Sequence, residues 1–222
     1  MCGRINIADM TAEELHDFYD LGIIPHRLLP EWQKRRNAPP TSETPIIRLM
    51  DGVLRMDIAR WGLIPRWFRK TLKEWFAATF NARVETVATS ASFRDAYRNG
   101  RAVQPAAGFY EWSKREGKTT PYYIHPADNA PVLSFAALWT EVDLPDFKGL
   151  TCAILTEPAS AKFVNIHDRQ PVMLDREGMA AWLAGVPLDQ VPRIDMSKVD
   201  WHEVSAAVGN VRNDGPDVTK PV

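Results

Sequence analysis

The sequence predicts an α+β fold in which antiparallel strands can curl into a barrel and helices are inserted between them. Strand-like apolar segments dominate the middle of the chain, Asp51-Gly52 marks a tight β-hairpin, and strands and helices do not alternate as a parallel sheet requires. With 222 residues, 45% hydrophobic residues and eight tryptophans, the chain can form one large domain with an ample core. We therefore expect residues 1–222 to be a single domain.

The N-terminal third is predicted to contain one helix and one hairpin. Thr11 and Glu14 have the spacing of a capping box, and apolar residues follow them at helical intervals. A long loop is expected over 25–45, which is rich in proline, arginine and hydroxyl residues. Asp51-Gly52 then joins two apolar strands, which are followed by an irregular stretch or short helical turn in "PRWFRKTLKEWF".

The remaining elements are mostly strands. A helix opened by Thr89 or Ser90 and closed by Gly100 comes first. Four strand segments follow, namely "RAVQPAAGFYEW", "TPYYIHP", "PVLSFAALWTEV" and "GLTCAILTEP". The charged loop "SKREGK" joins the first two of these segments. We expect "SAKFVNIH" to be helical, "QPVML" to be a strand, and "DREGMAAWLAG" to be a helix that stops at Gly185.

Composition excludes several classes of protein. No apolar run approaches the roughly 18 residues of a membrane span, and no secretory signal is recognisable, so we expect a cytoplasmic protein. Cys2 and Cys152 are then free thiols. Because the chain has no C-x-x-C motif and no metal-ligand spacing among its five histidines, we expect neither a metal nor a cofactor. The net charge of −1 means that binding of nucleic acid would need a local basic groove.

The first four residues, "MCGR", make Cys2 the N-terminal residue once Met1 is removed. Its α-amine would have a pKa of about 7.7–8.0 and its thiol a pKa of about 8.5. Toward an aldehyde, the amine forms a Schiff base and the thiol closes a five-membered thiazolidine ring. Toward an amide, the thiol attacks and the amine serves as the base. The residues leave both chemistries open, together with the alternative that Cys2 packs as a small hydrophobe.

Three polar residues are candidates for the same chemistry. Asn81 alternates with Arg83 and Glu85 in "FNARVET", so the three would share one side of an extended segment, which suits the binding of an amine or a phosphate. Glu111 lies among aromatic residues, where a carboxylate has a raised pKa and serves as an acid or base. His167 has the side chain best matched to proton transfer near neutral pH. The alternatives are a solvated edge for the first segment, a Glu111 carboxylate that caps a neighbouring backbone or pairs with an arginine, and a structural histidine.

Six segments resemble the SRAP (SOS response-associated peptidase) family. They are "MCGR", "RWGLIP", "NARVET", "GFYEW", "HDRQPV" and "VGNVRNDGP", in the family's order from residue 2 to about 216. Each segment is short, but six in order with cysteine at position 2 make a specific pattern. Where the family usually has N-x-A-P, this chain has Asn37-Ala38-Pro39-Pro40, so a proline takes the alanine position.

The resemblance implies a protein of the DNA damage response that captures abasic sites in single-stranded DNA as a thiazolidine crosslink through Cys2. It also implies a distorted antiparallel barrel with flanking helices and a positively charged groove. Asn81 would position the α-amine and the substrate, Glu111 would assist Schiff-base formation, and His167 would act as acid and base on the sugar hydroxyl and the Schiff base. Contacts to DNA are implied for Arg4 and Arg83 on flanking phosphates, Trp67 on a base, and Asn37, Pro40 and Arg169.

Two other functions use the same residues. An N-terminal-nucleophile amidohydrolase or peptidase would use Cys2 on an amide, since glutamine amidotransferases also begin Met-Cys-Gly. A single-strand binding module would perform no chemistry. The family's peptidase label fits self-removal of Met1 or of a short leader, and the resemblance also admits an abasic-site lyase activity. We expect a monomer whose partner is abasic single-stranded DNA, with no attachment to a membrane.

Overall fold

The structure, a computed structural model, describes residues 2–22, 30–115, 117–128 and 130–222. Met1, residues 25–29 of the predicted long loop and Glu116 of the predicted charged loop lie outside the described residues. The elements are, in chain order, β1 (Ile5–Asn6), α1 (Ala12–Tyr19), β2 (Glu43–Met50), β3 (Val53–Trp61), β4 (Asn81–Arg83), α2 (Arg94–Asn99), β5 (Arg101–Ala106), β6 (Gly108–Arg115), β7 (Lys118–Pro126), β8 (Leu133–Leu144), β9 (Phe147–Pro158), β10 (Arg169–Pro171), β11 (Met173–Leu174), α3 (Arg176–Leu183) and β12 (Val199–Glu203).

Five strands close a barrel, which confirms the predicted fold class. Around the barrel the order is β2, β3, β9, β8 and β5, and the ring closes where Ile47 of β2 pairs with Val103 of β5. Neighbouring strands are antiparallel except β3 and β9, which run parallel with Ala59 opposite Leu150. Buried aliphatic and aromatic side chains from these strands form the main core, and their removal from water is the principal stabilising force.

A second sheet, in the order β1, β6, β7 and β12, continues from the barrel. Ala106 ends β5 in the barrel, and Gly108 begins β6 in the second sheet. A Cβ atom on Gly108 would lie 2.5 Å from the Ile124 carbonyl oxygen and 2.5 Å from the Tyr123 ring, so only glycine allows this close approach. The prediction of one strand over "RAVQPAAGFYEW" is therefore wrong, because the chain changes sheets at this glycine.

The α1 cap and the hairpin turn are confirmed, whereas the predicted helix opening at Thr89 or Ser90 is wrong, because α2 has Phe93 as its N-cap and no side-chain cap bond. Glu14 donates its N–H to the Thr11 hydroxyl at 3.1 Å and accepts from the Thr11 N–H at 2.7 Å, which forms the capping box of α1. Asp51-Gly52 has φ values of +52° and +76°, the left-handed pair that a two-residue hairpin turn requires. Helix α2 begins at Arg94, a few residues after the predicted caps, and Gly185 ends α3 with a φ of +90°.

The segment between β9 and β10 differs from its prediction. Residues 161–166 form turns rather than a helix. The Ala159 N–H donates to the Asp168 carbonyl at 2.9 Å, which closes the segment into a loop at both ends. The strand predicted for "QPVML" is two short strands, since β10 pairs with β9 whereas β11 pairs with β8. Among the described residues, no helix is long and apolar enough to cross a membrane.

Candidate active site

Cys2 lies beside the first strand of the second sheet. Strand β1 pairs with β6, and the Tyr110 N–H donates to the Arg4 carbonyl at 3.0 Å, so the antiparallel register brings the chain before Arg4 to Glu111. The Cys2 side chain is buried. Burial, and after it the charge of Glu111, raises the pKa of the Cys2 thiol well above its ordinary value. The thiol is therefore neutral near pH 7 and needs a base in order to react.

Asn81 connects the barrel to this N-terminal segment. It begins β4, which runs parallel to β9 with Asn81 opposite Ile154. The Asn81 Nδ2 donates to the Cys2 carbonyl at 2.6 Å. The Asn81 Oδ1 is buried, and no donor from the described part of the chain reaches it. Because an unsatisfied buried acceptor is costly, this oxygen marks a place for a donor such as a free amine or a substrate group.

Glu111 supplies a buried carboxyl to the same place. It lies in β6 opposite Tyr122 of β7, and its side chain is buried. Burial raises the pKa of the Glu111 carboxyl, and the charge of nearby His167 partly opposes that rise. Glu111 therefore keeps its proton to a higher pH than an exposed glutamate and can act as both acid and base.

His167 is held by the two residues that follow it. The Arg169 N–H donates to the imidazole Nδ1 at 3.0 Å, and the Asp168 carboxylate lies 2.8 Å from the same nitrogen. The first contact suits a neutral ring with its proton on Nε2, whereas the second suits a protonated Nδ1. The ring therefore has a partner in either protonation state, as a proton-transfer group requires.

The end of β9 brings two of these residues together. Thr156 of β9 pairs with Arg83 of β4 on one side and with Pro171 of β10 on the other. Asn81 at the start of β4 and His167 just before β10 therefore lie beside one strand end, and β6 carries Glu111 from the other sheet. The candidate residues meet where the two sheets join. The proximity of these four candidate residues could not be predicted from the sequence, because they come from four segments that are far apart along the chain.

Arg83 and Arg169, both expected to contact DNA, have different surroundings. Arg83 is exposed at the end of β4. Arg169 is 8% exposed, and its guanidinium binds both oxygens of Glu85 at 2.7 and 3.0 Å and the Thr156 carbonyl at 2.7 Å. These bonds support the β4–β9–β10 junction, while the Nε of the same guanidinium is buried with no partner among the described residues. The expected contact of Arg169 with DNA stays a prediction.

Asn37 positions Arg4. Its Nδ2 donates to three carbonyls of the C-terminal segment, those of Val208, Asn210 and Asn213, at 2.9, 3.1 and 3.0 Å. Its Oδ1 accepts from the Arg4 guanidinium at 2.9 Å. The Asn37 side chain is fully buried and its donors and acceptor are in use. Asn37 therefore acts on its surroundings through Arg4, and its expected contact with DNA stays a prediction. Arg4 itself stays half-buried at the surface.

Trp67 and Pro40 keep surfaces that a strand can reach. Pro40 is half-buried. Trp67 is 57% exposed, and its indole N–H donates to the Ala91 carbonyl at 3.0 Å, which fixes the ring while much of its surface faces solvent. A cleft of about 320 Å³ opens beside His167, lined in part by Trp112 and Lys114. No group of three or more metal-ligating side chains is found among the described residues.

The family model of the SOS response associated peptidase (SRAP) matches residues 1–211. The chain belongs to the SRAP family. It is 33% identical over 200 residues to the abasic site processing protein YedK of Escherichia coli K12, with 87% of each chain covered. It is 28% identical over 226 residues to the abasic site processing protein YoqW of Bacillus subtilis, with 98% of each covered.

Solved structures agree with this SRAP fold. A protein from Bacteroides thetaiotaomicron superposes with a TM-score of 0.83 at 22% identity, covering all of both chains. A protein from Bordetella bronchiseptica superposes with a TM-score of 0.78 at 22% identity, covering 92% of this chain and all of the other. At these identities the likeness shows the fold alone.

Two contacts of the SRAP site were not predicted from the sequence. Glu85 binds Arg169, and the carbonyls of residues 208–213 bind Asn37. The alternation of Glu85 with Asn81 was a visible signal for the first contact. The segment "VGNVRNDGP" was recognised as a family motif, but its contribution is made by backbone carbonyls, which side-chain identity does not reveal.

Proposed function

We propose that this SRAP protein binds single-stranded DNA and captures abasic sites as a covalent thiazolidine crosslink through Cys2, after Met1 has been removed. The observation that carries the proposal is the position of Cys2. Its thiol is buried against Glu111, and its carbonyl is bound by Asn81 at 2.6 Å. The names of the relatives YedK and YoqW, both abasic site processing proteins, support the same substrate.

The first covalent step uses the α-amine. The amine nitrogen of Cys2 attacks the aldehyde carbon of the ring-opened sugar, and loss of water gives the imine. Asn81 Oδ1, the acceptor without a described donor, is available to bind an N–H of this amine. Glu111, whose pKa is raised by burial, can donate the proton that the departing hydroxyl needs.

The second step uses the thiol. Because burial raises the pKa of the Cys2 thiol, sulfur attacks only as its proton leaves. Because Glu111 has given its proton to the departing hydroxyl, the imine is left protonated on nitrogen. The Glu111 carboxylate can then accept the thiol proton, the new C–S bond forms at the imine carbon, and the C=N electron pair moves onto nitrogen, which keeps its one hydrogen as the neutral ring N–H. The five-membered ring that results contains both former nucleophiles. No oxidant or reductant is consumed in either step. His167, with a partner for either protonation state, serves the sugar hydroxyl and the reverse reaction.

Binding of the strand depends on local charge, since the net charge is −1. We assign Arg83 and the Arg4 positioned by Asn37 to the phosphates on either side of the lesion, Trp67 to a neighbouring base, and Pro40 to the adjacent surface. Such contacts are independent of sequence, because a missing base leaves no edge to read. We place residues 1–222 in one monomeric domain that acts in the DNA damage response of the cytoplasm.

The test mixes the protein with single-stranded DNA that carries one abasic site and separates the products on a denaturing gel. A shifted band that survives denaturation is expected, and undamaged DNA of the same sequence should give none. Hydrolysis of glutamine or a peptide without a shifted band would favour the amidohydrolase alternative. Binding without either product would leave only a single-strand binding module. Cleavage beside the lesion, followed on the same gel, tests the lyase activity.

A variant with a leucine inserted between Met1 and Cys2 tests the role of the amine. The thiol remains, but the amine is tied up in a peptide bond, so only a reversible hemithioacetal can form. We expect binding without a stable crosslink. Intact mass must show that the variant keeps Met1 and that the wild-type protein has lost it. A stable crosslink from the mass-verified variant would show that the thiazolidine mechanism is wrong.

A further inference from the structure

The segment that leaves the barrel just before β4 exposes two aromatic rings. We name residues 65–79 the aromatic–basic loop. Phe76 is 90% exposed, more than any other large hydrophobic side chain of the described residues, and Trp67 of the same loop is 57% exposed. Burial of one such ring would contribute about 1.5–3 kcal/mol. Two exposed rings in one short loop therefore indicate a surface that contacts a partner.

The exposure of Phe76 follows from the way its neighbour is anchored. Trp75 packs on Phe68 with ring centroids 4.9 Å apart, and its indole N–H donates to the Thr79 hydroxyl at 3.1 Å. The backbone at Trp75 is extended, with φ −91° and ψ 99°. Successive side chains of an extended chain point to opposite sides, so Trp75 faces inward and Phe76 faces solvent on a fixed backbone.

The loop is also basic. Glu74 is its one acidic residue, and its basic residues are Arg66, Arg69, Lys70 and Lys73. The Glu74 carboxylate accepts from the Thr71 N–H and hydroxyl at 3.1 and 2.7 Å, and Lys70 lies 3.8 Å away. Lys70 and Lys73 are exposed. The surface around Phe76 therefore combines an aromatic face with positive charge, which is the combination that single-stranded nucleic acid recognises.

The loop leads directly into the candidate active site. The Leu63 N–H donates to the Thr79 carbonyl at 3.2 Å, which fixes the end of the loop two residues before Asn81. The five residues from Asn81 back to Phe76 span at most about 18 Å. That distance equals about five stacked nucleotides at about 3.4 Å each. A strand whose lesion lies at Cys2 thus has flanking nucleotides within reach of Phe76.

We propose that Phe76 stacks on a base of the strand that flanks the lesion, and that Lys70 and Lys73 bind the phosphates beside that base. The proposal rests on the proposed function and assigns the loop a different task from that of Cys2. Phe76 extends the length of strand that is bound and takes no part in the covalent step. We assign a nucleic acid strand as the ligand of the aromatic–basic loop. The reason is that the loop's aromatic and cationic side chains extend the surface that begins at Trp67.

The direct test places 2-aminopurine, a fluorescent base quenched by stacking, at successive positions on each side of an abasic site in a 17-nucleotide strand. We expect one position, within about five nucleotides of the lesion, to change its fluorescence on binding. That change should be lost in Phe76→Ala and kept in Phe76→Trp. The matched control is Leu49→Ala, which truncates an exposed side chain on β2 and should leave the signal unchanged. A signal that is the same in all variants overturns the proposal.

Affinity separates stacking from a structural effect. Phe76→Ala should weaken binding of an undamaged 17-nucleotide strand by about five- to 150-fold. Lys70→Gln combined with Lys73→Gln should make the salt dependence shallower by about 1.4, or about 0.7 for each phosphate contact. The control pair is Lys118→Gln with Lys220→Gln, two exposed lysines outside the loop. Unchanged affinity together with lost binding to phosphatidylserine vesicles would assign the loop to a membrane surface and overturn the proposal.

A short substrate distinguishes failure of this proposal from failure of the proposed function. At saturating protein, Phe76→Ala should crosslink a trinucleotide with a central abasic site at the wild-type rate, because Phe76 contributes to binding and takes no part in the covalent step. An equal loss of crosslinking rate on the trinucleotide would show that Phe76 takes part in the chemistry or supports the fold. That result would overturn the proposal. If the wild-type protein forms no crosslink at all, the proposed function fails, while the affinity measurement on the undamaged strand still decides the role of Phe76.

Discussion

The two cysteines lie in two buried regions that differ in whether the polar atoms near the thiol all have hydrogen-bond partners. Cys152 lies in β9 inside the barrel, where its thiol contacts Gln104 Oε1 at 3.6 Å and Gln104 in turn donates to Thr44 at 3.3 Å. Cys2 lies at the junction of the sheets, beside the carboxyl of Glu111 and the unsatisfied Oδ1 of Asn81. Burial raises the pKa of both thiols. Burial and a raised pKa therefore do not distinguish the two cysteines, whereas an acid–base neighbour and an open hydrogen-bond position distinguish Cys2 from Cys152.

The largest expected difference comes from removing each thiol in turn. Cys2→Ala should lose the crosslink that survives denaturation, because an imine alone hydrolyses, and borohydride should restore a trapped product. Cys152→Ala should crosslink at the wild-type rate and lose about 0.5–3 kcal/mol of unfolding free energy, as core truncations do. Gel shifts and denaturant titrations measure the two effects. If Cys152→Ala also lost the crosslink while remaining folded, the contrast between the two regions would be wrong.

Glu111→Gln should slow crosslinking by about 10²- to 10⁴-fold, the usual contribution of a general acid–base group. Affinity for undamaged single strands should stay the same, because the carboxyl is buried away from the phosphates. Single-turnover rates on abasic DNA, measured beside anisotropy titrations, separate the two quantities. A matched control is Gln104→Glu, which places a carboxyl beside Cys152 and should confer no crosslinking through that thiol. An unchanged rate in Glu111→Gln would remove Glu111 from the mechanism.

A smaller effect separates the two arginines. Arg83→Ala should weaken binding of all single strands equally and make the salt dependence shallower by about 0.7, the value for one phosphate. Arg169→Ala should leave the salt dependence unchanged and lower the unfolding free energy by about 1.5–3 kcal/mol, because it removes charged hydrogen bonds at the strand junction. Titrations at several salt concentrations provide the comparison. A shallower slope for Arg169→Ala would show that Arg169 also contacts a phosphate.

Glu111 also links the site to stability. Its pKa in the folded protein lies above the ordinary value of 4.5, so the folded state holds the proton more tightly than the unfolded chain. This contribution is present below about pH 4.5 and is lost as pH rises through the folded-state pKa. Glu111→Gln should therefore be more stable than the wild type at pH 7, by about 1.4 kcal/mol for each unit of pKa elevation. Equal stability of the two proteins from pH 4 to pH 8 would contradict the raised pKa.

Local signals in the sequence predict local structure well in this chain. The Thr11–Glu14 capping box and the Asp51-Gly52 turn are determined by a few neighbouring residues, and both are confirmed. The boundary at Gly108 was missed because it depends on contact with Ile124 and Tyr123 of another strand. The same limit applies to the parallel pairing of β3 with β9, which closes the barrel between segments that are distant in sequence.

The candidate site also combines local features that the sequence predicts with long-range contacts that it does not. The residue type and apolar surroundings of Glu111 suffice to predict its burial and raised pKa. The sequence could not distinguish Arg83 from Arg169, because exposure depends on whether Glu85 reaches the guanidinium. Nor could it place Asn37, whose partners are backbone carbonyls of residues 208–213. The chemistry of a side chain can be predicted from sequence. Its hydrogen-bond partners from distant parts of the chain can be identified only from the fold.

The bond between Arg4 and the Val208 carbonyl joins residues 204 positions apart, and this separation has a consequence for biosynthesis. During translation, Cys2 leaves the ribosome well before residues 208–213, whose carbonyls hold Asn37 and Arg4. A nascent chain that stalls between them therefore carries the cysteine without the backbone carbonyls that position Arg4. We expect the N-terminal segment to reach its final arrangement only after residues 208–213 have emerged.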